Sequence, residues 1–223
     1  MKSIQALPNW QVVTGPDIGP AVPTITFQQQ PPPVPPPPPP VLSMTITGVP
    51  GKYADGVVRS PDIPLPPGTT GAVLTAVFSV NEASLLYTQA LEMGAKFTLD
   101  DGTTLNGQFQ FDYGKSPTNM VLDLTSVTGS GWSPTPFVMA KFAPDVLHTV
   151  VATYKIDAAA KKISITSVMI DGHLCTTPAY MLGVVGKALG WAKRMLQTNF
   201  QPNTNQKGGT WVWILHDVNV VLS

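Results

Sequence analysis

Nine prolines in ten residues, the run PPPVPPPPPP from Pro31 to Pro40, constrain this chain more than any other feature. Each ring fixes φ and removes an amide donor, so the run is expected as polyproline II. Ten residues at about 3.1 Å each span roughly 30 Å. Such a rod sets a distance between what lies on either side of it. Two roles stay open at this point: a solvated spacer, or a rod that docks in a groove or bundles with copies from neighbouring subunits.

The run divides the chain into an arm at 1–30, the rod at 31–40 and a remainder at 41–223. Residues 1–40 hold Lys2 and Asp17 as their only charges. Thr24-Ile-Thr-Phe27 alternates, with Ile25 and Phe27 on one side, and Trp10 and Val12 add apolar surface upstream. An isolated strand has nothing to bury its apolar side against. The expected partner is a neighbouring copy. The candidate subunit-contact residues are therefore Trp10, Val12, Ile25 and Phe27 of the arm, together with Pro31, Pro32, Pro33, Pro35, Pro36, Pro37, Pro38, Pro39 and Pro40 of the rod.

Composition points the same way. Charged residues make up 12% of the chain, about half the usual share, and the net charge is zero. A nucleic-acid binder needs a basic footprint to release counterions, and no Lys/Arg block exists here. A surface this sparse in charge has little like-charge repulsion to keep copies apart. No run of about 18 apolar residues is present, so no membrane span is expected. Lys2 is not followed by a long apolar stretch, so no secretory signal is visible, although an extracellular or cell-surface location suits an assembling protein. Cys175 is the only cysteine and reads as a small core residue next to the Ile170-Asp171-Gly172 turn.

From Val41 onward the chain reads as short strands with turns. Leu42, Met44 and Ile46 alternate with Ser43, Thr45 and Thr47, while Ala72–Val80 is an apolar run. Ala95–Leu99 ends at Asp101-Gly102, a strong turn signal. Phe109 and Phe111 alternate with Gln108, Gln110 and Asp112, and Met120–Val127 and Phe137–Phe142 follow. Val150, Ala152, Tyr154 and Ile156 share one strand face, Lys162–Ile170 closes at Asp171-Gly172, and Trp211–Leu222 is the last strand. Only Tyr180–Leu196 has helical character, weakened by Gly183, Gly186 and Gly190. About ten such strands predict an all-β fold: a two-sheet antiparallel jelly-roll sandwich, preceded by an extended N-terminal arm and a polyproline II segment.

The stretch His148-Thr-Val-Val-Ala-Thr-Tyr154, followed by Asp157, Ile163–Ser167 and Val168-Met-Ile-Asp-Gly172, resembles the concanavalin A-like (laminin-G-like) jelly roll. The resemblance covers roughly residues 70–223. It implies two packed antiparallel sheets of a type often used to bind sugars or proteins. Laminin-G-like domains often hold calcium, but no ligand set maps onto this sequence, so no cofactor is assigned.

Catalytic signatures are missing. The two glutamates, Glu82 and Glu92, stand in no Glu-x-Asp-x-Glu strand motif, so the paired carboxylates of a glycosidase are not visible. His148, His173 and His216 have no metal-ligand spacing, and no Gly-x-Ser-x-Gly elbow occurs. The chain is read as a non-enzyme: a self-assembling subunit of an extracellular fibre whose arm docks on the next copy. The alternatives are a lectin-like carbohydrate-binding module on a proline stalk, with Trp132 as its sugar platform, or a viral decoration or tail protein. Trp211 and Trp213 share one face of the last strand, which places that strand in the core or under a partner.

Overall fold

A computed structural model of the chain describes residues 1–14, 25–30, 41–48, 50–51, 53, 56–114, 116–125, 131–182, 186–187, 194–205 and 208–223. A 3-10 turn at Ile4–Ala6 precedes strands β1 (Gln11–Thr14), β2 (Ile25–Gln30), β3 (Val41–Gly48), β4 (Gly56–Arg59), β5 (Ile63–Pro64) and β6 (Gly71–Val80). Helix α1 (Glu82–Tyr87) leads to β7 (Thr88–Thr98), β8 (Thr103–Asp112), β9 (Asn119–Thr125) and β10 (Trp132–Ala140). The chain continues with β11 (His148–Asp157), β12 (Lys162–Ile170), β13 (His173–Leu182), β14 (Gly186–Lys187), β15 (Met195–Thr204) and β16 (Gly209–Leu222).

Two antiparallel sheets pack as a sandwich, as the strand pattern predicts. Sheet A runs β1-β4-β15-β7-β8-β9-β10, with β5 on β15 and β14 on β8. Sheet B runs β13-β12-β11-β6-β16-β3-β2. Alternation decides which side chains face inward. Leu91, Met93 and Phe97 of β7, Phe109 and Phe111 of β8, and Leu122 and Leu124 of β9 are buried from sheet A. Phe78, Val150, Ala152, Tyr154, Ile163, Ile165 and Trp213 meet them from sheet B. Phe142 sits edge-on between Phe78 and Phe111, at 5.0 and 5.1 Å between ring centroids. Tyr154 lies against Gly107: a Cβ at that glycine would come within 2.9 Å of the Tyr154 ring, so the small residue lets the sheets close up. Burial pushes the Tyr154 phenol pKa well above its ordinary value.

The expected turns form. Gly102 takes a positive φ of 82°, and the Asp101 carboxylate accepts the Thr103 N–H at 2.9 Å. Asp171 and Gly172 have φ of 47° and 81°, the left-handed pair that a tight hairpin turn requires. Cys175 is buried on β13, and burial raises its thiol pKa. Trp213 is fully buried on β16, a central strand between β6 and β3.

Three expectations change. Tyr180–Leu182 and Met195–Leu196, at the two ends of the segment read as helical, are strand, as are Gly186 and Lys187; the remaining residues of that segment lie outside the described ones. A helix does form at Glu82–Tyr87, where the Asn81 side chain caps it by accepting the Ser84 N–H at 3.0 Å.

The largest change concerns the arm, whose strands have partners within the chain. β1 pairs with β4, Val12 opposite Val58, and becomes the edge of sheet A. β2 pairs with β3, Phe27 opposite Met44, and becomes the edge of sheet B. Ile4 and Gln5 are completely buried. The Gln5 side chain accepts the Val218 N–H at 2.8 Å and donates to the His216 carbonyl at 3.1 Å, so it substitutes for a strand neighbour along β16. Trp10 packs on Phe200 at 6.2 Å and donates to the Ile4 carbonyl, while Val12 stays 40% exposed. Ile25 and Phe27 lie on β2, of which the backbone is described. Pro31–Pro40 lie outside the described residues, but their flanks Gln30 and Val41 are register partners. The premise of the filament expectation, an arm with no partner in its own chain, therefore does not hold.

Candidate functional site

The face of sheet A turned away from the core concentrates long polar side chains. On β7 the inward residues Leu91, Met93, Ala95 and Phe97 alternate with Ala90, Glu92, Gly94 and Lys96 on the outer side. The same alternation puts Gln108, Gln110 and Asp112 of β8, Asp123 and Thr125 of β9, and Gln197, Asn199, Gln201 and Asn203 of β15 on that side. Register then aligns them into rows across the strands. One row runs Gln201–Glu92–Gln110–Asp123–Pro134, and its neighbour runs Asn203–Ala90–Asp112–Val121–Val138.

These rows surround a hollow of about 240 Å³ lined by Gln89, Ala90, Glu92, Gln110, Asp112, Asp123, Trp132, Pro134 and Asn203. Glu92 is 7%, Gln110 6% and Asp123 1% exposed. Side chains of this type are rarely so enclosed unless their polar atoms are matched. The Gln110 amide donates to Asp123 Oδ2 at 2.9 Å, and the Asn203 amide donates to Glu92 Oε1. Asp112 Oδ1 accepts the Gly114 N–H at 2.7 Å. Each carboxylate is thus oriented by an N–H donor while it lines the hollow. Trp132 stands opposite Thr125 on β10, the edge strand, half-buried at the rim. A flat indole beside a cluster of amides and carboxylates can stack on one ring of a ligand while the polar groups take its hydroxyls.

Sequence reasoning singled out Trp132, and the structure places it at this hollow. It missed Glu92, Gln110, Asp112, Asp123 and Asn203. The Gln108/Gln110/Asp112 alternation was visible, but it read only as a strand. Glu92 and Asp123 come together through register on either side of β8, which no local motif encodes. The other candidates are elsewhere: Trp10, Val12, Ile25 and Phe27 belong to the arm, and Pro31–Pro40 lie outside the described residues.

The histidines do not enter the hollow. His148 Nε2 donates to the Ala143 carbonyl at 2.9 Å, and Nδ1 lies 2.7 Å from Asp171 Oδ2. The second Asp171 oxygen accepts the Thr149 N–H at 2.7 Å. The His148 and Asp171-Gly172 parts of the strand pattern are thereby explained as a structural pin between β11 and the β12–β13 turn. His216 contacts Ser79 at 3.0 Å on sheet B. Among the described residues no group of three or more His, Cys, Asp or Glu is placed to hold a metal ion, and no helix is long and apolar enough to cross a membrane.

A second hollow, of about 300 Å³, opens between Leu65, Leu99, Ile156 and Arg194. The Arg194 guanidinium is spent on the Leu65 and Pro66 carbonyls and on Asp100, which ties loops together.

No protein-family model matches the chain, and a comparison with curated protein sequences finds no match. Among solved structures, the Emp47p carbohydrate recognition domain is similar, at 9% identity and a TM-score of 0.50, over 97% of this chain and 90% of that one. Alginate lyase A1-II′, of polysaccharide lyase family 7, is similar at 13% identity and a TM-score of 0.45, over 82% of this chain and 80% of that one. The CBM2 module of the Lactobacillus casei BL23 phage J-1 evolved Dit is similar at 14% identity and a TM-score of 0.44, over 81% and 75% respectively. At such identities the likeness speaks to the fold alone. The chain has the concanavalin A-like jelly-roll fold.

Proposed function

We propose that this protein is a carbohydrate-binding module that takes a glycan in the hollow on the outer face of sheet A. Trp132 stacks on a sugar ring at the rim. Glu92, Asp112 and Asp123 accept hydrogen bonds from sugar hydroxyls, and the amides of Gln110 and Asn203 fix those carboxylates. One observation supports this above all others: carboxylates and amides on a face turned from the core are nonetheless almost fully enclosed, around an indented surface with an indole at its edge.

Binding without cleavage is the reading that the donors support. Glu92 and Asp123 face the same hollow across one intervening strand, a Cα separation of roughly 10 Å. A glycosidase needs one of two such groups as a proton donor. Here each accepts an amide N–H, an arrangement complementary to the ionised form.

Glycan-array screening followed by calorimetry tests the reading. The expected result is a defined set of bound glycans, with Trp132→Ala weakening the best of them by about 2 kcal/mol, roughly thirtyfold. Wild-type protein that binds no glycan, or Trp132→Ala that binds as tightly as wild type, would overturn it. Release of reducing ends from a bound glycan would replace binding by hydrolysis.

A further inference from the structure

The polar face of sheet A continues past the hollow into a patch of opposite charge. Arg59 of β4 stands opposite Asn199 of β15, and Asn199 stands opposite Gly94 of β7. Two residues further along β7, on the same face, is Lys96, opposite Gln197. Arg59 and Lys96 thus flank Gly94, where no side chain projects, and a Cβ there would meet the Gly107 carbonyl at 2.4 Å. Between the two cations Gly94 itself projects nothing, and Asn199 and the Gln108 side chain border the space it leaves.

The floor of this patch holds two polar atoms with nothing to bond. Asn199 is 4% exposed and Gln197 7% exposed, and neither Asn199 Oδ1 nor Gln197 Oε1 has a hydrogen-bond partner. The Gln197 amide N–H donates to Asp62 at 2.6 Å, which fixes its oxygen as the acceptor left over. An unmatched buried acceptor is costly, and a ligand that donates to it removes that cost. Two cations on the same ground favour a ligand with an oxyanion. Burial lowers the Arg59 and Lys96 pKa values, and the Arg59 charge lowers that of Lys96 further, as expected of like charges brought together.

We propose that this patch is a second subsite that selects an acidic sugar, a uronate whose carboxylate bridges Arg59 and Lys96 while its ring hydroxyls donate to Asn199 Oδ1 and Gln197 Oε1. This rests on the glycan-binding reading of the hollow, and it names the substrate class: a uronate-containing polysaccharide. The acidic hollow and the basic patch share strands β7 and β15, so the two ends of the site differ in sign. Hydroxyl-rich rings suit the Glu92/Asp123 end and the carboxylate suits the Arg59 end, which gives the bound chain a direction.

Affinity electrophoresis of the full chain through gels of polygalacturonate, dextran and dextran sulfate tests this. The expected result is retardation by polygalacturonate that weakens with added salt, at least roughly tenfold reduced in Arg59→Gln and in Lys96→Gln. Asn199→Leu, which leaves both charges in place, is expected to lose a smaller share of the same binding. Dextran sulfate retarding the protein as strongly as polygalacturonate would reduce the patch to non-selective charge attraction and overturn the assignment. Neutral dextran bound as well as the uronate polymer, in a manner abolished by Trp132→Ala, would overturn the acidic subsite and leave the hollow standing. Retardation by none of the polymers, with no array hit, would overturn both.

Discussion

The outer faces of the two sheets are built from the same alternation and come out differently. On sheet B that face carries mostly short side chains, such as Ser43, Thr45, Thr75, Val151 and Thr153, all partly open to water, beside the exposed Lys155 and the half-buried His216. On sheet A it carries Glu92, Gln110, Asp123, Gln197 and Asn199, which are longer and more polar yet less exposed. A sandwich needs only a solvated outer surface, and sheet B shows how little that takes. The enclosed amides and carboxylates of sheet A exceed this need, and desolvating them is costly unless they are matched. On the proposed reading, the contrast separates a face shaped for structure from a face shaped for a ligand.

Gly94→Ala is expected to destabilise the fold by about 1–3 kcal/mol in urea titration, because the added methyl meets backbone and the Gln108 side chain. A mutant with an unchanged midpoint would show that the sheet A face tolerates filling as a plain surface does. Gln110→Ala removes a donor from the buried Asp123 carboxylate and is expected to cost about 1–2 kcal/mol, whereas Ser43→Ala on sheet B should stay within about 0.5 kcal/mol. Equal costs at the two positions would remove the distinction between the faces.

The smallest effect belongs to sheet B. Burial lowers the His216 pKa from its ordinary 6.5, so the unfolded chain binds the proton more readily than the folded one. Stability is then full above pH 6.5 and declines as pH falls below it. Thermal midpoints at pH 7.5 and 5.5 should show this decline shrinking in His216→Gln; an identical pH dependence in the variant would remove His216 as its source.

Local chemistry made the sandwich legible. Alternation marked the inward residues of β3, β8 and β11, and Asp101-Gly102 and Asp171-Gly172 marked turns because only certain residues accept positive φ. The helix at Glu82–Tyr87 escaped because six residues give too short a period to stand out. Site residues were legible one at a time: Trp132 by type, and Gln110 and Asp112 by their place on a strand. Their convergence was not, since Glu92, Gln110 and Asp123 meet through long-range register. The arm misled for the same reason. Its lack of a local partner was real, but the partners, β4 and β3, lie further along the same chain beyond the proline-rich stretch.

The place of β16 has a consequence for how the chain is made. The last strand lies in the middle of sheet B, between β6 and β3, and also receives the first residues of the chain through Gln5. A ribosome delivers Gly209–Leu222 after every other strand. Until then sheet B exists as two pieces, with β6 and β3 each presenting an unpaired edge. Sheet B is therefore complete only once Gly209–Leu222 is in place. The nascent protein passes through a period in which open edges of apolar strands are available to chaperones or to one another.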